Sequence, residues 1–225
     1  MTRVNGKLNK GMFKHQKIPK LAMLNYKNEM LKRSFDLTMA ILGLFFVWWI
    51  ILLGWIFAYY DAGKSGFFVQ KRVGRYGRLF NVIKLRTMRS DIPVMTTITT
   101  DGDSRITNIG GILRQLKIDE LPQLINVIFG DMSFVGPRPD VPGYADYLNG
   151  DDSIILRVRP GITGPASIKY KHENIMLRVQ SDPEAYNRSV IWPDKVRINK
   201  NYIKNWSFWK DISFIMQTIF DRKIC

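Results

Sequence analysis

Residues 37–60 read LTMAILGLFFVWWIILLGWIFAYY, 24 consecutive positions without a charged side chain. At 1.5 Å per residue a straight helix over this run is about 36 Å long, against a bilayer hydrocarbon core of about 30 Å. The run is apolar all round, so as a helix it has no polar face to show to water. A cleavable secretory signal is excluded, because the basic lead is too long, the apolar stretch exceeds the usual ~7–15 residues and no small-residue cleavage site follows. The run reads as a membrane segment. It divides the chain into a basic N-terminal arm over 1–36, the membrane segment 37–60 and a cytosolic domain over 61–225.

Charge sharpens that division. The 225 residues carry 34 Lys and Arg against 19 Asp and Glu, a net charge of +15 that alone suggests any polyanion as partner. Residues 1–36 hold nine basic and two acidic side chains, and residues 61–90 hold eight basic and one acidic, so each flank is +7. The remaining 91–225 is +1. Excess charge gathered around one apolar run points to anionic lipid headgroups and away from nucleic acid. A spanning helix normally has its Lys and Arg on one side only. Two positive flanks fit a segment that enters and leaves by one leaflet, each half of about 12 residues reaching about 18 Å deep. Spanning remains the alternative, since only Gly43 and Gly54 are available for a bend and the run has no proline.

With 46% apolar and 24% charged residues the rest is an ordinary globular composition. One cysteine, Cys225, excludes a disulfide framework and a cysteine metal site; with only His15 and His172 beside it, a metal has to sit on oxygen. Gly66–Gln70 and Leu79–Leu85 alternate as short strands around the glycine-rich turn KRVGRYGR, predicting a β-hairpin. Thr96–Asp103 reads as a polar loop whose Asp101-Gly102-Asp103 is a turn rather than a metal site. Ile109–Lys117 and Leu121–Phe129 have helical spacing, the chain past Pro137 is loop-rich, and Tyr202–Phe220 is a candidate helix with an apolar face that includes Trp206 and Trp209.

The chemistry-bearing residues cluster around Asp119-Glu120, just ahead of the helical run that begins LPQLI. An acidic pair there caps a helix by default. The same position suits a nucleophilic carboxylate among phosphate oxygens. Arg86, Arg114, Arg138 and Arg159 each lie beside turn or glycine signals where a backbone can approach an anion. Gly136-Pro137-Arg138-Pro139 is the most specific of these, because Pro137 and Pro139 stiffen the backbone on both sides of one guanidinium.

Five ordered blocks carry a resemblance: LKRSFDL, FFVQKRVGRYGRLFNVIKLRTM, DSRITNIGGILRQLKIDELPQLINVIFGDMSFVGPRP, VRPGITG and NYIKNWSFWKD. Together they resemble the bacterial sugar transferases, monotopic phosphoglycosyl transferases that begin lipid-linked glycan assembly. The resemblance implies a membrane-associated α+β fold, with a re-entrant or spanning N-terminal helix and a small, mostly helical cytosolic domain bearing a short β-hairpin. It implies an enzyme of the bacterial inner (cytoplasmic) membrane with its catalytic domain facing the cytoplasm, acting on a UDP-sugar and polyprenyl (undecaprenyl) phosphate, and it is compatible with a homo-oligomer. Asp119 then matches the nucleophile that takes a phosphosugar and releases UMP, with Glu120 its partner. Both are candidate ligands for Mg²⁺. Arg86, Arg114, Arg138 and Arg159 match anion-binding positions, and Pro137, Pro139, Gly161 and Gly164 are structural. A catalytically inactive membrane scaffold of the same fold is the alternative, against which the intact acidic pair argues. Three departures stand out: Trp48-Trp49 in place of a central Ser-Pro, Pro165-Ala166-Ser167 after PGITG, and Asn199 where the family often has Asp.

Overall fold

The computed structural model describes residues 25–89 and 103–220. His15, Cys225, most of the basic arm and the loop from Thr96 to Gly102 lie outside them. The architecture is mixed, with eight α-helices and four short strands among the described residues.

Helix α1, Tyr26–Ala62, is longer than the uncharged run and starts inside the basic arm. The Asn25 side chain accepts the Lys27 N–H at its start, and Gly63 ends it in the left-handed region at φ 64°. Among the described residues it is the one helix long and apolar enough to cross a membrane. No bend interrupts it: the helix continues through Trp48-Trp49, and the two half-helices that re-entry requires are one element of 37 residues. The two candidate hinge glycines serve close packing instead. A Cβ on Gly54 would lie 2.6 Å from Leu85 and one on Gly43 3.5 Å from Leu124.

One stripe of α1 faces the rest of the protein. Lys32, Asp36, Ala40, Ile51, Gly54 and Ala58 are buried, with Leu44 and Val47 packed between them, so an inward position recurs every three or four residues. The outer side carries exposed Leu42, Phe45, Trp48, Trp49, Leu53 and Tyr60.

Strands β1 (Phe67–Val73) and β2 (Leu79–Leu85) form the expected antiparallel hairpin, in register from Phe67 opposite Leu85 to Val73 opposite Leu79. Its first strand runs on through Lys71-Arg72-Val73, and the turn shrinks to 74–78, where Tyr76 and Gly77 take positive φ. Helices α2 (Asn108–Gln115) and α3 (Gln123–Phe129) follow, both packed on α1. The stretch expected as loop contains a second sheet, β3 (Ser133–Val135) parallel to β4 (Gly161–Thr163). Helices α4 (Pro165–Lys169), α5 (Glu173–Arg178) and α6 (Pro183–Tyr186) lead to α7 (Trp192–Lys204) and α8 (Phe208–Phe220).

The single closing helix expected over 202–220 is therefore two. Asn205 leaves helical geometry (φ −112°, ψ 30°), and the Ser207 Oγ accepts the Lys210 N–H to start α8. The break splits the expected Trp face: Trp206 is buried and donates its Nε1–H to Asp211, while Trp209 is 77% exposed. Packing forms three apolar clusters, and α1 contributes to two. Ala40 joins Val82, Leu124, Val127 and Met132; Ile51 and Ala58 join Leu85 and Leu113. The third holds Val135, Ile154, Ile155, Val196, Ile203 and Trp206.

Candidate active site

Three short pieces of backbone converge on Asp119-Glu120. The first carries the pair itself. Thr107 caps α2 by accepting the Gly110 N–H at 3.0 Å, and α2 ends at Gln115. Lys117 then adopts φ 56°, a positive value unusual for a side-chain-bearing residue, and turns the chain into a 3₁₀ turn, Ile118–Glu120. Neither carboxylate caps α3, whose N-terminal residue Pro122 makes no side-chain cap bond. The default structural role of an acidic pair at this position is not the one it has.

The second piece is β2, which presents Lys84. Its Nζ lies 2.9 Å from Glu120 Oε1. The third is the GPRP segment after β3. The β3–β4 ladder is continued by the Gly136 N–H donating to Thr163 O at 2.9 Å and the Gly161 N–H donating to Pro137 O at 2.8 Å. A Cβ on Gly161 would sit 2.1 Å from Gly136 N, and one on Gly164 2.3 Å from Gly136 O, so both positions need glycine for the backbones to meet. Arg138 leaves this clamp and donates from Nη2 to Glu120 Oε1 at 2.6 Å. Arg72 donates to Pro139 O at 3.2 Å, tying the hairpin to the same segment.

The two carboxylates are thereby made different. Burial by itself would raise Glu120, but Arg138, Lys84 and Lys117 outweigh it and hold Glu120 well below the usual carboxylate range. Asp119 goes the other way. Burial and then the neighbouring Glu120 charge push it up, against the pull of Lys84, Lys117 and Arg114. Its Oδ1 is buried without a hydrogen-bond partner. Glu120 is thus a fixed, neutralised anion, while Asp119 keeps an uncommitted lone pair among cations. Two groups with divergent proton affinities in one site are a mark of chemistry.

Of the four arginines singled out in the sequence, the structure brings two to the pair. Arg138 is bonded to Glu120, and Arg114, which donates from Nε to Thr87 Oγ1 at 2.7 Å, lies close enough to feel both carboxylates. Arg86 and Arg159 are bonded elsewhere. Arg86 donates to the carbonyls of Ser65 (2.8 Å) and Phe67 (3.3 Å), joining the end of α1 to the hairpin. Arg159 donates to Gly130 O at 2.9 Å and lies 3.6 Å from Glu29, beside Arg75, at the other end of α1. Asn199 is buried with Oδ1 unpartnered.

Sequence reasoning missed Lys84, Lys117 and Asp140. Lys84 was counted with the positive flank of the apolar run, although its position on an alternating strand was the available signal for an inward side chain. Burial pushes Asp140 up to about 6, opposed by Lys195, Arg72 and Arg138. Among the described residues no group of three or more acidic, His or Cys side chains could hold a metal. The pair alone still suits magnesium, a hard cation commonly held by one or two carboxylates with substrate phosphates and water completing its shell.

Comparison with known proteins agrees with this arrangement. A family model described as "Bacterial sugar transferase" matches residues 27–222. Exopolysaccharide production protein ExoY of Sinorhizobium fredii is 32% identical over 204 residues, covering 84% of this chain and 83% of that protein. Uncharacterized sugar transferase EpsL of Bacillus subtilis is 35% identical over 189 residues, covering 84% and 85%. UDP-glucose:undecaprenyl-phosphate glucose-1-phosphate transferase of Caulobacter vibrioides is 34% identical over 175 residues, covering 76% of this chain and 61% of that one. A match that begins inside α1 and ends past α8, taking in the acidic pair and the glycine clamp, shows that the chain belongs to the bacterial sugar transferase family.

Proposed function

We propose that this protein transfers a sugar-1-phosphate from a UDP-sugar to polyprenyl phosphate at the cytoplasmic face of a bacterial inner membrane, the first membrane step of glycan assembly. The observation that carries the reading is the unpartnered Asp119 Oδ1 beside a Glu120 already neutralised by Arg138 and Lys84. The reaction named for the Caulobacter relative supports the donor and acceptor classes.

In the first step a carboxylate oxygen of Asp119 attacks the phosphorus that carries the sugar. The bond from that phosphorus to the bridging oxygen breaks, and UMP leaves with the oxygen. In the second, a phosphate oxygen of the polyprenyl phosphate attacks the same phosphorus and the Asp119 ester bond breaks, giving polyprenyl diphosphate sugar and the free carboxylate. Both nucleophiles are anions, so charge rather than proton transfer is the obstacle. Arg138, Arg114 and Lys84 offset it, and the raised proton affinity of Asp119 makes its ionised form the stronger nucleophile. Asp119 and Glu120 would hold Mg²⁺, which when bound supplies further neutralisation of the diphosphate.

The test uses the UDP-sugar with ³²P in the sugar-linked phosphate. Without polyprenyl phosphate, the wild type should retain acid-stable label on a peptide containing Asp119 and release one UMP per label. Adding polyprenyl phosphate should discharge it into lipid. Label on a peptide without Asp119, or UMP release by Asp119→Asn, overturns the mechanism.

A further inference from the structure

The membrane reading proposed above leaves open how the long helix meets the bilayer, and its packing addresses that. The inward stripe runs from Lys32 to Ala58, 26 residues or about 39 Å of axis. Along it sit Asp211 against Lys32 (2.6 Å), the Phe134 N–H donating to Asp36 (3.1 Å), Leu124 beside Gly43 and Leu85 beside Gly54. Just beyond it Asp61 accepts the Ile109 N–H at 3.0 Å. The folded domain thus lies alongside the helix from one end to the other.

Inserting residues 37–60 along the bilayer normal would draw that domain into about 30 Å of hydrocarbon, with the Lys84–Glu120–Arg138 cluster that α3 and β2 support. A hairpin needs a turning point, and α1 has none. The outer side meanwhile presents only apolar and aromatic groups between Ile41 and Tyr60. Trp48, Trp49, Tyr59 and Tyr60 are among the exposed ones, residues that favour the interface over the acyl core. Residues 61–90 add a +7 flank where this surface ends.

We infer that α1 lies parallel to the membrane plane with its outer half sunk in the interface of an anionic bilayer, and that the domain rests on its inner half. The active site is then held at headgroup level by the side of one helix along its whole length. The depth is that of interfacial helices, about 5–10 Å, rather than the 18 Å of a re-entrant tip.

Leu31, Leu42, Trp49 and Tyr60 are exposed and lie 11, 7 and 11 residues apart, close to whole turns, so they point outward along nearly one line. Each is replaced singly by Cys in full-length protein with Cys225→Ser, spin-labelled and reconstituted in phosphatidylglycerol-containing vesicles. Depth is read from the contrast between oxygen and nickel-chelate collisions. The inference requires all four labels at the same shallow depth although Leu31 and Tyr60 are about 44 Å apart. A label at Trp49 deeper than those at Leu31 and Tyr60 by about 15 Å identifies a hairpin, and a depth difference of about 27 Å between Leu42 and Tyr60 a spanning helix; either overturns the inference and leaves the proposed membrane function standing. Spin–spin broadening at all four sites without oxygen contrast places a second copy on this face and also overturns it. Nickel-chelate access equal to that in water at all four sites overturns the membrane reading itself.

Discussion

Glu120→Gln tests whether the carboxylate holding Lys84 and Arg138 is the electrostatic centre of the site. The two cations share Oε1 at 2.9 and 2.6 Å. At an effective dielectric constant of about 20, each contact is worth roughly 6 kcal/mol before any opposing effect. The Arg138 side chain is 47% exposed, so solvent screening reduces its share to about 1 kcal/mol or less. Lys84 and Glu120 are 23% and 12% exposed, and their desolvation removes a large part of the rest. Gln keeps an oxygen acceptor and leaves two cations facing no anion, for a net loss of about 2 kcal/mol. In a chain of this size that lowers Tm by about 4–8 °C at pH 7.

The pH dependence has a defined sign. Because the folded-state affinity of Glu120 for a proton is depressed, its contribution is complete above the ordinary carboxyl value of 4.5 and is lost as pH falls towards the folded value. Differential scanning fluorimetry of both proteins in detergent should give a constant gap from pH 7 to 5.5. By pH 3.5 the gap should have narrowed by about 1 kcal/mol. Equal midpoints at pH 7, or a gap as wide at pH 3.5 as at pH 7, refutes the reasoning.

Asp119→Asn should abolish UMP release yet raise Tm at pH 7, because the folded state disfavours ionised Asp119; the gain should disappear towards pH 4, and a lowered Tm at pH 7 would contradict the assigned direction. Gly161→Ala should lower Tm by the equivalent of about 1–3 kcal/mol and cut turnover, since its Cβ must move Gly136 by about 1 Å and Arg138 with it. Gly111→Ala, with open space around its Cβ inside α2, should instead be neutral or stabilising by up to about 1 kcal/mol in the same melt. Asp211→Ala should cost about 3–5 kcal/mol, read as a loss of cooperative melting, because it strands Lys32 in a buried position.

Much of the arrangement is written locally. The uncharged run declares α1, alternation declares β1 and β2, and the proline-flanked Arg138 declares a rigid donor. What was not legible depends on contacts far apart in the chain. Strands β3 and β4 are three residues each, too short for a period, and they meet through Gly136 and Gly161, which carry no pattern. Lys84 vanished into a charge count, although its neighbours in β2 alternate. Arg86 and Arg159 look like phosphate ligands by sequence setting, yet carbonyls of Ser65, Phe67 and Gly130 take them. The end of α7 was the avoidable miss, because Ser207 three residues before Lys210 is a readable cap. The bend of α1 depended on absent chemistry: without proline the helical ladder is uninterrupted, and the glycines that might weaken it are enclosed by Leu124 and Leu85.

The bond between Lys32 and Asp211 also has a meaning in time. These residues are 179 positions apart, one near the start of the first helix and the other in the first turn of the last. During synthesis α1 leaves the ribosome more than 150 residues before its counter-ion exists. At ~5–20 residues per second that is a delay of roughly ten to forty seconds. For that interval the inner stripe has neither its salt bridge nor its apolar neighbours, and the nascent chain resembles a simple hydrophobic anchor. Only when Asp211, Tyr202 and Trp206 close around Lys32 is the orientation of the helix committed. The order of translation thus makes membrane engagement the first event and assembly of the catalytic centre the last, with the final helix as the latch.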